Sequence, residues 1–116
     1  MIHLTEAEKN LMDIIWDANN IYSKDLVDIC FRKFNWKKST TYTMLKKLLK
    51  KEMVNNDHAV VSYNISREEF MYSQKKHVIE KYFDNSLPSF INAFANEEKL
   101  SEDDIRELEI IIEKYK

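Results

Sequence analysis

A chain of 116 residues, 44% hydrophobic and 33% charged, has room for one globular domain and a helical appendage. Its net charge of −2 offers no bulk attraction to nucleic acid, and its single cysteine, Cys30, excludes an internal disulfide. With no glycine, phosphate-cradling and dinucleotide loops as ordinarily built are excluded; one proline leaves few helix breaks.

The start, Met1-Ile2-His3-Leu4, turns polar by Thr5, and no apolar run approaches membrane length. A cytoplasmic chain without a signal peptide is expected. Thr5 and Glu8 form a capping box, and Leu11, Met12, Ile15 and Trp16 recur at helical spacing, which predicts a first helix from Thr5 to about Asp17. Asn19-Asn20 ends it, and Ile21-Tyr22 reads as a very short strand. Ser23 is expected to cap a second helix with Leu26, Val27, Ile29, Cys30 and Phe34 on its apolar face. Cys30 reads as a small buried hydrophobe there.

A third helix is expected from Ser39 or Thr40 to about Glu52, with Met44, Leu45, Leu48 and Leu49 as its core stripe. Two strands follow, Met53–Asn55 and Val60–Ile65. Asn56-Asp57-His58 lies between them, where Asn and Asp best replace glycine in left-handed positions. Helix, helix, helix, hairpin is the order of a winged helix-turn-helix. Ser66 with Glu69 caps a further helix expected to reach about Asn85. Ser86-Leu87-Pro88 opens another, and Ser101-Glu102-Asp103-Asp104 the last. The expected fold class is mainly α with a small β-hairpin wing, with residues 1–70 as the winged-helix domain and 71–116 as a helical dimerisation domain.

Charge is distributed unevenly along this pattern. From Arg32 to Lys51 there are eight basic residues and no acid, whereas Met71 to Lys116 carries seven basic and ten acidic. Phosphate binding depends on such a local patch. Lys37 and Lys38 stand at the start of the third helix, followed by Ser39, Thr40, Thr41, Tyr42 and Thr43, hydroxyls that suit base edges and phosphates. The helix continues with Lys46, Lys47, Lys50 and Lys51, which suit phosphates. Double-stranded DNA is the expected partner.

The three histidines, His3, His58 and His77, lie far apart and outside any ligand spacing, so they read as ordinary exposed histidines and no metal is expected. No nucleophile triad assembles, and neither a catalytic residue, a cofactor nor a small-molecule substrate is expected. The last third carries Tyr82, Phe83, Leu87, Phe90, Ile91, Phe94, Leu100, Ile105, Leu108, Ile111 and Ile112, more apolar surface than two short helices can bury alone. A homodimer is the expected outcome, and folding back onto the winged domain is the alternative.

Leu4-Thr5-Glu6-Ala7-Glu8, Met12–Trp16, Trp36, Ser39–Leu48 with Lys50-Lys51, Tyr63, and the stretch from Phe90 to Leu108 together resemble the penicillinase-repressor family over nearly the whole chain. The resemblance implies a dimeric transcriptional repressor that occludes a palindromic promoter operator, with base-reading residues at Ser39, Thr40, Tyr42 and Thr43. Tyr42 stands where the family usually has a basic residue. The family's copper-responsive branch carries a carboxy-terminal cysteine cluster, which this chain lacks. In its β-lactam branch a membrane sensor protease triggers cleavage at an Asn-Phe bond. The matching pair here is Ala93-Phe94, with the phenylalanine kept and the asparagine replaced. A winged-helix protein-interaction module and a directly ligand-gated regulator remain open alternatives.

Overall fold

The computed structural model describes residues 2–116, and Met1 lies outside them. The chain divides into two compact units, Met1–Gln74 and Lys75–Lys116. Helix α1 (Glu6–Ala18) opens on the expected capping box: Glu8 N–H donates to Thr5 Oγ1 at 3.2 Å and Thr5 N–H to Glu8 Oε1 at 3.0 Å. The helix ends at Asn19, whose φ of 69° only a glycine or a short polar residue adopts readily.

Strand β1 (Asn20–Tyr22) runs directly into helix α2 (Ser23–Phe34). Here the expectation that Ser23 caps α2 is corrected. Tyr22 holds the cap position in extended geometry, and Ser23 is the first helical residue, buried, with its N–H donated to Ala59 C=O at 2.9 Å. The strand keeps the backbone extended through Tyr22, so the helix cannot begin earlier.

Helix α3 (Lys38–Lys50) stops short of Glu52 because Glu52 turns left-handed, φ 60°. Glu52 N–H and Met53 N–H then reach back to the carbonyls of Leu49 and Leu48, both at 3.0 Å, closing the helix end. Strands β2 (Val54–Asp57) and β3 (Val60–Tyr63) form a hairpin, and β1 joins it to give an antiparallel sheet of order β1-β3-β2. Val61 of β3 lies opposite Ile21 on one side and Asn56 on the other. The order α1-β1-α2-α3-β2-β3 is that of a winged helix.

The core of this unit is formed by Leu11, Met12 and Ile15 of α1, Leu26 and Cys30 of α2, Leu45 and Leu48 of α3, and Met53 and Val61 of the sheet. Trp16 ties its edge together. The indole N–H donates to Ile65 C=O at 2.9 Å, and its ring lies 5.7 Å from Phe70. Arg67 stacks on the same indole at 5.2 Å while its guanidinium donates to Asp17 at 3.0 Å.

Helix α4 (Arg67–Tyr82) starts on the expected Ser66–Glu69 box, with Glu69 N–H donating to Ser66 Oγ at 3.0 Å. It ends before Asn85, because Asp84 and Asn85 both take positive φ. Helix α5 (Leu87–Glu97) is capped by Ser86 with Pro88 in its first turn, and helix α6 (Glu102–Lys114) by Ser101, boxed with Asp104. In the second unit Phe83 meets Phe90 edge to face at 5.1 Å, yet no residue of α5 or α6 is buried.

The hairpin turn differs from expectation in one respect. Its two loop residues are His58 and Ala59, φ 51° and 66°, while Asn56 and Asp57 remain in β2. A two-residue loop of this type, I′, needs positive φ at both positions, and without glycine the register sets which residues must adopt it. Left-handed geometry costs an alanine about 1–2 kcal/mol, partly offset because glycine loses more entropy on folding. Ala59→Gly is therefore expected to stabilise the protein by roughly 0.5–1 kcal/mol, measured as a raised thermal midpoint. An unchanged or lowered midpoint would show that the turn carries no such strain.

Candidate nucleic-acid interface

Helix α3 is divided lengthwise by its own periodicity. Thr41, Leu45 and Leu48, at spacings of four and three, are buried, and Met44 is half-buried beside them. Ser39, Thr43, Lys46 and Lys50 fall on the opposite side, and all four are exposed. Thr40, half-buried, and Lys47, exposed, lie on one flank of that outward strip; Tyr42 and Leu49 lie on the other. The core stripe thus differs from the expected one. Leu49 is 36% exposed on the flank, and Thr41 takes the inward position, because the helix packs on positions 41, 45 and 48.

The outward strip carries hydroxyls toward the helix start and ammonium groups toward its end. No acid lies in its first turn, and the cap residue, Lys37, makes no side-chain hydrogen bond to the helix. The positive end of the helix dipole is therefore uncompensated, beside Lys37 and Lys38. Lys38 Nζ lies 5.9 Å from the centre of the Tyr42 ring, one turn further along.

Lys51 stands apart from the other lysines. Its ammonium lies 2.8 Å from His3 C=O and 2.8 Å from both carboxylate oxygens of Glu8, a side chain only 1% exposed. Burial alone would push the Glu8 carboxyl up, but Lys51 and the Thr5 backbone and hydroxyl together outweigh it and hold the pKa below the usual range. Lys51 is thus engaged within the fold, clamping the end of α3 to the start of α1. Nothing local in the sequence signals this pairing, since the partners are 43 positions apart. Behind the helix, burial pushes the Cys30 thiol up, against the smaller pull of the Thr41 hydroxyl.

The wing tip carries Asp57 and His58 side by side at 2.6 Å, both highly exposed, with no lysine or arginine between Val54 and Tyr63. Of the other histidines, His3 is exposed and His77 half-buried, the latter short of the full exposure expected. Among the described residues no group of three metal-binding side chains gathers, and no helix is long and apolar enough to cross a membrane.

In the second unit the apolar residues group as well. Phe90, Ile91, Phe94, Leu100, Leu108 and Ile111 line a cleft of about 360 Å³ between α5 and α6, rimmed by Asp104 and Glu107. Ile105, Leu108 and Ile112 share one stripe of α6, while Tyr82 and Leu87 are exposed and Phe83 is half-buried. Ile110, not singled out from the sequence, is exposed on the opposite side of α6. Ala93 and Phe94 lie inside α5, the first half-buried and the second 53% exposed.

A winged body that presents a basic, acid-free third helix has the form of a DNA-binding protein. Residues 4–114 match the family described as penicillinase repressor. The penicillinase repressor of Bacillus licheniformis is 25% identical over 117 residues, 97% of this chain and 91% of that protein. The methicillin resistance regulatory protein MecI of Staphylococcus aureus (strain N315) is 25% identical over 115 residues, 96% and 94% of the two chains. The crystal structure of the reduced form of MarR from E. coli overlaps 98% of this chain and 75% of its own at a TM-score of 0.48 and 17% identity, a likeness too slight to add to the fold assignment. The chain belongs to the penicillinase repressor family, and so to DNA-binding transcriptional repressors rather than enzymes.

Removing Lys51 tests the clamp. Lys51→Met leaves the Glu8 carboxylate buried without its counter-charge, and a loss of roughly 2–4 kcal/mol is expected in urea unfolding at pH 7. The folded pKa of Glu8 lies below its unfolded value, so its contribution is complete above the ordinary carboxylate range and is lost as pH falls through the folded value. The acid-induced loss of stability should accordingly shrink in Lys51→Met. An acid limb identical to that of the wild type would show that the pair contributes nothing.

Proposed function

We propose that this chain acts in the cytoplasm as a homodimer that occludes a palindromic promoter operator, each protomer laying α3 in the major groove. The outward strip of α3 carries this reading: Ser39, Thr43, Lys46 and Lys50 together on one face, with no acid among them. Ser39, Thr40, Tyr42 and Thr43 are the base-reading residues in this proposal. Lys37, Lys38, Lys46, Lys47 and Lys50 neutralise phosphates, and Lys51 is left out because Glu8 holds it. The relatives named as penicillinase and methicillin-resistance regulators make β-lactam resistance genes the proposed targets.

Dimerisation is assigned to the second unit. Helices that bury no residue and expose Phe94, Ile105, Ile111 and Ile112 favour a partner surface, and a second copy supplies the two-fold symmetry that a palindrome requires. Release by cleavage at Ala93–Phe94, started by a membrane sensor protease, would break α5 near its middle and detach α6 from the remainder. That bond lies inside a helix, so a protease would reach it only after α5 unwinds.

Two measurements test the proposal. Thr43→Ala is expected to weaken binding to the selected operator by about 1–3 kcal/mol while leaving non-specific binding unchanged, and Lys47→Ala or Lys50→Ala to weaken both and lower the salt slope by about one. Binding indifferent to salt would instead indicate a protein-interaction module. In sedimentation the wild type should be a dimer, and Phe94→Asp or Ile112→Asp should shift it to monomer with loss of operator affinity. A wild-type monomer with full affinity would refute the assembly.

A further inference from the structure

We infer that Tyr42 is a specificity-determining residue of α3, whose ring reads a thymine 5-methyl group in the major groove and is steadied there by Lys38. This rests on the DNA-binding reading and adds to it the kind of base selected.

The outward side of α3 lacks the usual base readers. From Lys38 to Lys50 it has no arginine, asparagine, glutamine, aspartate or glutamate, so it cannot make the arginine fork to guanine or the amide pair to adenine, nor accept from the cytosine amino group. Lys46 and Lys50 can donate to guanine, and the hydroxyls of Ser39 and Thr43 contact base edges by hydrogen bonds, none of which senses an apolar group. The remaining distinctive feature is apolar. Tyr42 is 39% exposed, and Leu49, seven residues on and 36% exposed, continues the same flank. Among the four bases only thymine projects an apolar group into the major groove, and an aromatic ring on a groove-facing helix is the natural partner for it. Lys38, with its ammonium 5.9 Å from the ring centre, limits the ring's freedom and can still reach a phosphate. From its flank Tyr42 thus adds an apolar, thymine-selective contact to the polar base contacts of the hydroxyls.

The test uses the intact 116-residue chain and a pool of randomised duplexes, from which bound sequences are selected for the wild type, Tyr42→Phe and Tyr42→Ala. Each thymine fixed in the wild-type half-site is then replaced in turn by deoxyuridine, which removes only the methyl group. At one of them the wild type should lose about fourfold in affinity, the worth of one apolar carbon removed from water. Tyr42→Phe should keep that discrimination, and Tyr42→Ala, checked for folding by circular dichroism, should lose it. Indifference of the wild type to every deoxyuridine, or an unchanged penalty in Tyr42→Ala, would overturn the role of Tyr42 while leaving DNA binding intact. If no sequence is enriched and binding ignores salt, the underlying reading fails, and this inference with it.

Discussion

One helix has to satisfy the protein interior and a ligand at once, and the rest of the winged unit is arranged around that constraint. Successive side chains of α3 point about 100° apart, so a slip of one residue in its packing would carry Leu45 and Leu48 out of the core and bring Lys46 into it. The register is fixed because Thr41, Leu45 and Leu48 are the residues of α3 buried in a core that Leu11, Ile15, Leu26 and Cys30 share. The ligand-facing strip is thus determined from behind.

The buried carboxylate of Glu8 reinforces this arrangement from the end of the helix. It caps α1 through Thr5 and receives Lys51 at the point where α3 gives way to the wing. A capping residue is ordinarily a local device worth about 1 kcal/mol. Here the same group also fixes the far end of a helix distant in sequence, which accounts for a carboxylate lying almost wholly out of water. Trp16 acts similarly on the other side of α1, joining it to Ile65 and Phe70.

Much of the fold could be read from residue patterns, because its signals are local. The Thr5–Glu8, Ser66–Glu69 and Ser101–Asp104 pairs each act within one turn, and each marks a helix start in the structure. The misreadings share a cause: a remote partner decided the outcome. Ser23 reads locally as a cap, but its backbone N–H is taken by Ala59 of the hairpin loop. Leu49 looked like core, yet core membership depended on which side of α3 met α1 and α2. Lys51 looked like one more phosphate-binding lysine, since pairing with Glu8 leaves no trace at neighbouring positions. The hydroxyl-rich start and lysine-rich end of α3 were legible because charge segregation needs no tertiary contact to be seen.

The absence of glycine has a consequence at the corners of the fold. Among the described residues seven, Asn19, Asn35, Glu52, His58, Ala59, Asp84 and Asn85, occupy positive φ. Each is costlier to bend than glycine, but each also restricts the unfolded chain, so less disorder is surrendered on folding. The corners of this repressor are therefore bent at residues that already narrow the choices of the unfolded chain.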